Sequence, residues 1–111
     1  MSNQGDQPVS SRLEMLKQFV SANPNDSFAR YGLAMEHANA GDSETALAEF
    51  KRLIKINPDY TAAYQMAAQT LLKSGREPEA REMLEAGIKS ATRTGNAHAG
   101  SEMQGMVDEL G

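Results

Sequence analysis

The two histidines are the side chains of this sequence best suited to catalysis or metal binding, and each has a glutamate nearby. Glu36 directly precedes His37, and His98 stands four residues before Glu102. Adjacent residues of a helix point about 100° apart, so Glu36 and His37 would not act on the same group. His98 and Glu102 would share a helical face, as two metal ligands do, but two ligands without a third rarely make a site. We therefore expect no catalytic residue, no metal site and no bound cofactor.

The other sequence patterns that carry chemistry are missing. The 111 residues include no cysteine, which excludes disulfides and thiolate zinc sites. They contain no G-x-S-x-G nucleophile elbow, no phosphate-binding glycine loop and no H-E-x-x-H zinc motif. We interpret the seven methionines as core-packing residues rather than as copper or heme ligands. The sequence therefore predicts a protein that is not an enzyme.

Charge and hydropathy limit the partners. A formal charge of −4 and an aromatic content of 5% argue against binding to nucleic acid. The basic segment 51–55, KRLIK, shares its helix with glutamates, so we interpret it as solvated surface. No apolar run approaches membrane-spanning length, and the first ten residues lack the pattern of a signal peptide. We expect a cytoplasmic protein without nucleic-acid or membrane partners, although a domain cut from a larger protein would look the same.

The elements that position these residues are predicted to be about six helices. Apolar residues recur at spacings of three and four, as for Leu13, Leu16, Phe19 and Val20 in the first helix, which a capping box starts at Ser10 or Ser11. Asn-Pro pairs and glycines end the helices, and Asn25 or Asp26, Asp42 and Asp59 are expected to cap the next ones. We predict a disordered tail, 1–9, and one all-α domain, 10–111, made of a first helix 10–22, helix pairs 27–60 and 61–94, and a last helix 96–110.

The helices repeat with a period of 34 residues. Gly41 falls on Gly75 after such a shift, and Ala46 falls on Ala80. The shift in the other direction places Pro58 on Pro24. Periods of this length are typical of antiparallel helix pairs that stack into an array.

The repeated residues resemble the tetratricopeptide repeat (TPR) family, whose pattern is W-x2-L-G-x2-Y, then A-x3-F, then P. Arg30 replaces the tryptophan of the first unit and His37 replaces its tyrosine, which makes structural packing the expected role of His37. The resemblance implies an α-α superhelix with two complete units between two half-units that cap its ends. The matching residues are Leu33, Ala34, Ala46, Phe50 and Pro58 in the first unit, and Tyr64, Ala67, Ala68, Leu71, Ala80 and Leu84 in the second.

In this family the first helix of each pair lines a concave groove, so the resemblance implies a non-enzymatic module that binds a peptide segment of a partner protein. The family's carboxylate clamp for acidic chaperone tails is matched only by Lys73, and we expect no such binding. Ala62 and, from the last helix, Ala99 and Met103 also fall at groove positions. The predicted groove residues are Phe28, Tyr31, Met35, Asn39, Gln65, Gln69, Leu72 and Lys73.

Two alternatives remain open at this point. Phe28, Tyr31 and Met35 could simply pack against the first and last helices, leaving no open groove. The array could instead be a structural module that forms a homodimer through an exposed apolar helix face, such as the stripe of Met103, Met106, Val107 and Leu110.

Overall fold

Within the part that the structure describes, the chain folds into six α-helices and forms no strands. The structure is a computed structural model that describes residues 8–111, with side chains from Ser11 onward. The predicted all-α fold is confirmed. Among the helices described, none combines the length and the apolar character needed to cross a membrane. The helices are α1 (Pro8–Ala22), α2 (Ser27–Asn39), α3 (Ser43–Ile56), α4 (Thr61–Lys73), α5 (Glu77–Thr94) and α6 (Ala97–Glu109).

The first helix begins earlier than the sequence predicted. It starts at Pro8 rather than at Ser10 or Ser11. Proline is tolerated at the first position of a helix, because the N–H that it lacks would have no partner there. Of the predicted tail 1–9, residues 1–7 lie outside the described residues.

Side-chain caps start three of the helices. Asp26 Oδ1 accepts a hydrogen bond from the Ala29 amide at 3.0 Å, and Asn96 Oδ1 accepts one from the Ala99 amide at 3.1 Å. Asp42 Oδ1 accepts from the Thr45 amide at 3.2 Å, and hydrogen bonding to Thr45 holds the pKa of Asp42 below its ordinary value. These carboxylate and amide oxygens satisfy amides that have no partner within the helix.

The predicted cap at Asp59 is wrong. The residue before α4 is Tyr60, and it makes no side-chain cap hydrogen bond. Asp59 Oδ1 instead accepts a hydrogen bond from Arg93 Nε at 3.0 Å. The carboxylate therefore ties the start of α4 to the end of α5.

Consecutive helices pack on one another, and α4 also touches α6. The resulting stack is elongated, with extents of 51 × 28 × 20 Å. Its main core runs from α2 to α6 and includes Phe50, Leu53, Leu71, Leu84 and Met103, all less than 2% exposed. A smaller cluster joins α1 to α2.

Gly87 allows three helices to meet in the main core. A Cβ atom on Gly87 would lie 2.5 Å from Met103 Sδ of α6 and 2.6 Å from Tyr64 Cβ of α4. Both distances are shorter than van der Waals contact, so only glycine fits without movement of its neighbours. Gly87 therefore marks a close approach of α4, α5 and α6.

Candidate functional site

The first helices of the two complete pairs are anchored in the same way. Arg30 Nη2 of α2 donates a hydrogen bond to the Pro24 carbonyl oxygen at 2.8 Å. The residue 34 positions later, Tyr64 of α4, donates from its hydroxyl to the Pro58 carbonyl oxygen at 2.7 Å. The sequence repeat is thus also a repeat of contacts, and α2 and α4 present equivalent faces.

Arg30 also joins α2 to α3. Its Nη1 donates to Glu49 Oε1 at 2.8 Å, and the two side chains are 6% and 23% exposed. The Arg30 Nε is buried and has no hydrogen-bond partner in the described part of the chain. Arg30 therefore holds α2 in place from the side that faces α3.

The predicted groove residues of α2 form one helical face with graded exposure. Phe28 is 77% exposed, Tyr31 and Met35 are half-buried, and Asn39 is exposed. Positions three and four apart lie on one side of a helix, which places these four side chains in a row.

Tyr31 has a structural role within that row. Its ring centroid lies 6.1 Å from that of Phe50 and 5.3 Å from that of Tyr60, both in tilted arrangements. Burial raises the pKa of the Tyr31 hydroxyl. These partners of the Tyr31 ring belong to α3 and to the start of α4, whereas the packing alternative named the first and last helices; Phe28 is open to solvent.

Two of the four predicted groove residues on α4 have side-chain amides. Gln65, Gln69 and Leu72 are half-buried, and Lys73 is exposed. Gln65 Nε2 lies 3.7 Å from Met106 Sδ of α6, a weak contact to a poor acceptor. The side-chain amides of Gln65 and Gln69 thus lie near the surface, where their donors and acceptors can bond to another molecule.

Two surface cavities of about 590 Å³ each lie away from these residues. One lies beside α3 and is lined by Arg30, Arg52 and Lys55, among others. The other lies between the start of α4 and the end of α5. Of the residues at predicted groove positions, Ala62 lines the second cavity, and the eight predicted groove residues on α2 and α4 line neither of the two.

One predicted groove residue of the last helix lies in the core rather than at the surface. Met103 is 0% exposed, because the space left by Gly87 admits its side chain to the core. Met106, Val107 and Leu110 pack partly against the same core. The expectation that Met103 lines the groove or an exposed self-association stripe is therefore wrong.

One of the two histidines is buried and the other lies on the surface, and each has a carboxylate nearby. His37 is 8% exposed, and its Nδ1 lies 3.9 Å from Asp42 Oδ2. His98 Nε2 lies 3.3 Å from Glu102 Oε2 on an exposed face of α6. Within residues 8–111, no group of three or more histidine, aspartate or glutamate side chains is arranged to hold a metal ion.

Sequence reasoning missed one exposed feature of α1. Phe19 was expected on the inward apolar face of that helix, but it is 48% exposed, and Met15 one turn before it is 68% exposed. Periodicity alone does not reveal this exposure, since both residues fit an amphipathic pattern. The repeat offers a signal: the residue 34 positions after Phe19 is Leu53, which is buried in its own helix pair. Within the described residues, no helix precedes α1 that would bury Phe19 in the same way.

Comparison with known proteins places these observations in one family. The sequence profile of the tetratricopeptide repeat matches residues 37–100. A TPR repeat-containing protein of Pseudomonas aeruginosa is 26% identical over 98 residues, which cover 88% of this chain and 93% of that protein.

Solved structures show the same arrangement of helices. A tetratricopeptide repeat domain protein of Salinibacter ruber, solved in solution by NMR, is 31% identical and has a TM-score of 0.74. That match covers 78% of this chain and 88% of the other. PcrH, solved in complex with the chaperone binding region of PopD, is 14% identical, with a TM-score of 0.85 over 92% of this chain and 77% of its own.

Proposed function

Because this chain belongs to the tetratricopeptide repeat family, we propose that it is a non-enzymatic module that binds a peptide segment of a partner protein along α2 and α4. The observation that supports this most strongly is the chemistry of the proposed groove. All eight of its residues except Lys73 are uncharged, in a chain of which 23% of residues are charged. We place the module in the cytoplasm, with which the cysteine-free composition is compatible.

The proposed groove offers two kinds of contact to a peptide. Phe28 and Met35 provide apolar surface that can receive side-chain anchors, and methionine adapts its shape to what it contacts. Gln65 and Gln69 provide amide donors and acceptors for the backbone of an extended segment. Lys73 lies at the C-terminal end of α4, so a peptide carboxylate that lies beside this end of the helix would be favoured.

The structural neighbours support a role in protein binding. PcrH shares the fold and was solved in complex with a region of PopD. At 14% identity, the likeness to PcrH supports a shared fold and not a shared partner. The partner segment of this chain would depend on the side chains of its own groove.

The first prediction concerns the centre of the groove. Gln65→Arg combined with Gln69→Arg places two long charged side chains there while keeping good helix formers on α4. We expect affinity for the partner that co-purifies with the protein from its own cells to fall at least about tenfold, or about 1.4 kcal/mol, in isothermal titration calorimetry.

The matched control is Glu85→Arg on α5, an exposed position outside the groove that changes the net charge by the same amount. This control should bind like the wild type, and circular dichroism should show both variants folded. Equal binding by the folded groove variant, or equal losses in the groove and control variants, would contradict the proposed site.

A further inference from the structure

The two ends of the helix array are built differently. On α2 and α4, the residues that face the second helix of the pair are buried, as Arg30 and Ala34 are on α2. Their counterparts on α6, 34 residues after those of α4, are His98 and Glu102, both exposed and polar. The outer face of α6 is therefore polar, and water can solvate it.

The outer face of α1 remains apolar. Leu53 on α3 is 0% exposed because it packs in the core of its helix pair. Phe19, 34 positions earlier on α1, is 48% exposed, and Met15 on the same side is 68% exposed. These side chains stand where the first helix of a preceding pair would pack in a longer array.

Phe28 extends this apolar surface onto α2. Arg12 Nη1 lies 3.2 Å from Glu36 Oε2, and Leu16 lies against Gly32, so α1 and α2 run antiparallel. In this register Phe19 and Phe28 lie at about the same height along the two helix axes. Helical spacing places both side chains on the same side of the α1–α2 pair. Among the residues whose side chains are described, the exposed large hydrophobic ones are Met15, Phe19 and Phe28, which we call the N-terminal patch.

We propose that the N-terminal patch is the contact surface of a homodimer, in which the patches of two copies of this chain pack together around a two-fold axis. A two-fold contact brings each side chain near its own copy, so a charged surface would repel itself. The exposed side of α1 that contains Met15 and Phe19 also includes the uncharged residues Ser11, Gln18 and Ala22, and the charged residue on this side is Arg12, seven positions before Phe19.

Two of the charged groups of α1, Glu14 and Lys17, lie off this surface. Lys17 Nζ lies 3.7 Å from Glu14 Oε2, and helical spacing turns both away from Met15. Arg12 borders the patch but is paired with Glu36. The contact between two patches would therefore be mainly apolar, with the ion pair of Arg12 and Glu36 at its edge in each copy.

A head-to-tail assembly fits the structure less well. It would place the N-terminal patch against the outer face of α6, where His98 and Glu102 would lose water. The two-fold arrangement buries apolar surface on both sides and closes after two copies, leaving the polar α6 ends in solvent.

The homodimer does not depend on the proposed peptide binding. Met15 and Phe19 lie outside the proposed groove, and Phe28 is the one residue that belongs to both surfaces. Variants of Met15 therefore test the dimer alone, while variants of Gln69 test the groove alone.

The test measures mass against concentration by sedimentation equilibrium. The wild-type chain should approach twice the monomer mass at several hundred micromolar, and Met15→Lys should raise the dimer dissociation constant at least about tenfold, because it brings two charges together. Since Met15 is largely exposed, this variant should keep its fold by circular dichroism. Ser101→Lys, on the exposed face of α6, is the matched control and should leave the dissociation constant unchanged.

A single added cysteine gives a second measurement, since the chain has none of its own. Under mild oxidation, Met15→Cys should form a disulfide-linked dimer and Ser101→Cys should remain a monomer. A wild-type chain that stays monomeric at these concentrations overturns the proposal. It does so even if a helix of another protein is then found to cover the patch. A dimer that survives Met15→Lys, or that Ser101→Lys dissociates equally, overturns it as well.

Discussion

Replacement of Arg30 by methionine should lower the free energy of unfolding by about 3 kcal/mol, the largest effect that we expect from a single substitution outside the apolar core. The change removes the ion pair with Glu49 and the hydrogen bond to the Pro24 carbonyl oxygen, both 2.8 Å long. Glu49 would remain as a carboxylate that is only 23% exposed, with no cation beside it. Urea unfolding followed by circular dichroism measures the loss.

The double variant Arg30→Met with Glu49→Leu should recover most of that stability. Removal of both members of a buried ion pair is often close to neutral, whereas removal of one leaves the other's desolvation uncompensated. We expect the double variant to unfold within about 1 kcal/mol of the wild type. A single variant as stable as the wild type would show that the Arg30 ion pair does not stabilise the α2–α3 pair.

Replacement of Gly87 by alanine should destabilise the protein by about 2 kcal/mol, although alanine is the better helix former by about 1 kcal/mol. The added methyl group would lie 2.6 Å from Tyr64 Cβ and 2.5 Å from Met103 Sδ. The methionine side chain can move, but Tyr64 Cβ is fixed by the backbone of α4. The helices must therefore separate, and contacts among α4, α5 and α6 weaken.

Gly105→Ala provides the control. Gly105 also lies within a helix, but a Cβ atom there would meet no other heavy atom within 4 Å. This change should raise the free energy of unfolding by about 1 kcal/mol, and for a domain of this size each kcal/mol shifts Tm by about 4–8 °C. Melting temperatures that change alike in the two variants would contradict the close contact at Gly87.

The repeat fold was predictable because its signals are local. Gly41 and Gly75 end α2 and α4 with positive φ angles of 85° and 73°, and their spacing of 34 residues is visible in the sequence. The capping role of Asp42 follows in the same way from a side chain and an amide three residues apart. Such features depend on few neighbours, so the sequence alone contains the information.

Features that depend on distant contacts were harder to predict. Asp59 looks like a cap because it follows Asn57-Pro58, but Arg93, 34 residues away, takes its carboxylate. Met103 was predicted to lie at the surface of the last helix, but it is buried because the absence of a side chain at Gly87 leaves room for it in the core. Each of these outcomes is decided by a residue on another helix.

The groove is a prediction of the same kind as the fold, but with less local information behind it. Helical spacing places Phe28 and Met35 on one face of α2, and the structure leaves Phe28 exposed as a binding residue would be. The choice of partner depends on side chains of another molecule, which this sequence does not contain. The exposure of Phe19 likewise depends on what packs beyond α1.

Amide chemical shifts of the nitrogen-15-labelled protein, recorded while the co-purifying partner segment is added, report directly on the binding face. The proposed function predicts that the largest shift changes fall within 28–39 and 62–73, on α2 and α4, while exposed positions of α5 such as Glu85 stay unchanged. Changes confined to α3 and α5, with α2 and α4 unaffected, would contradict binding in the proposed groove.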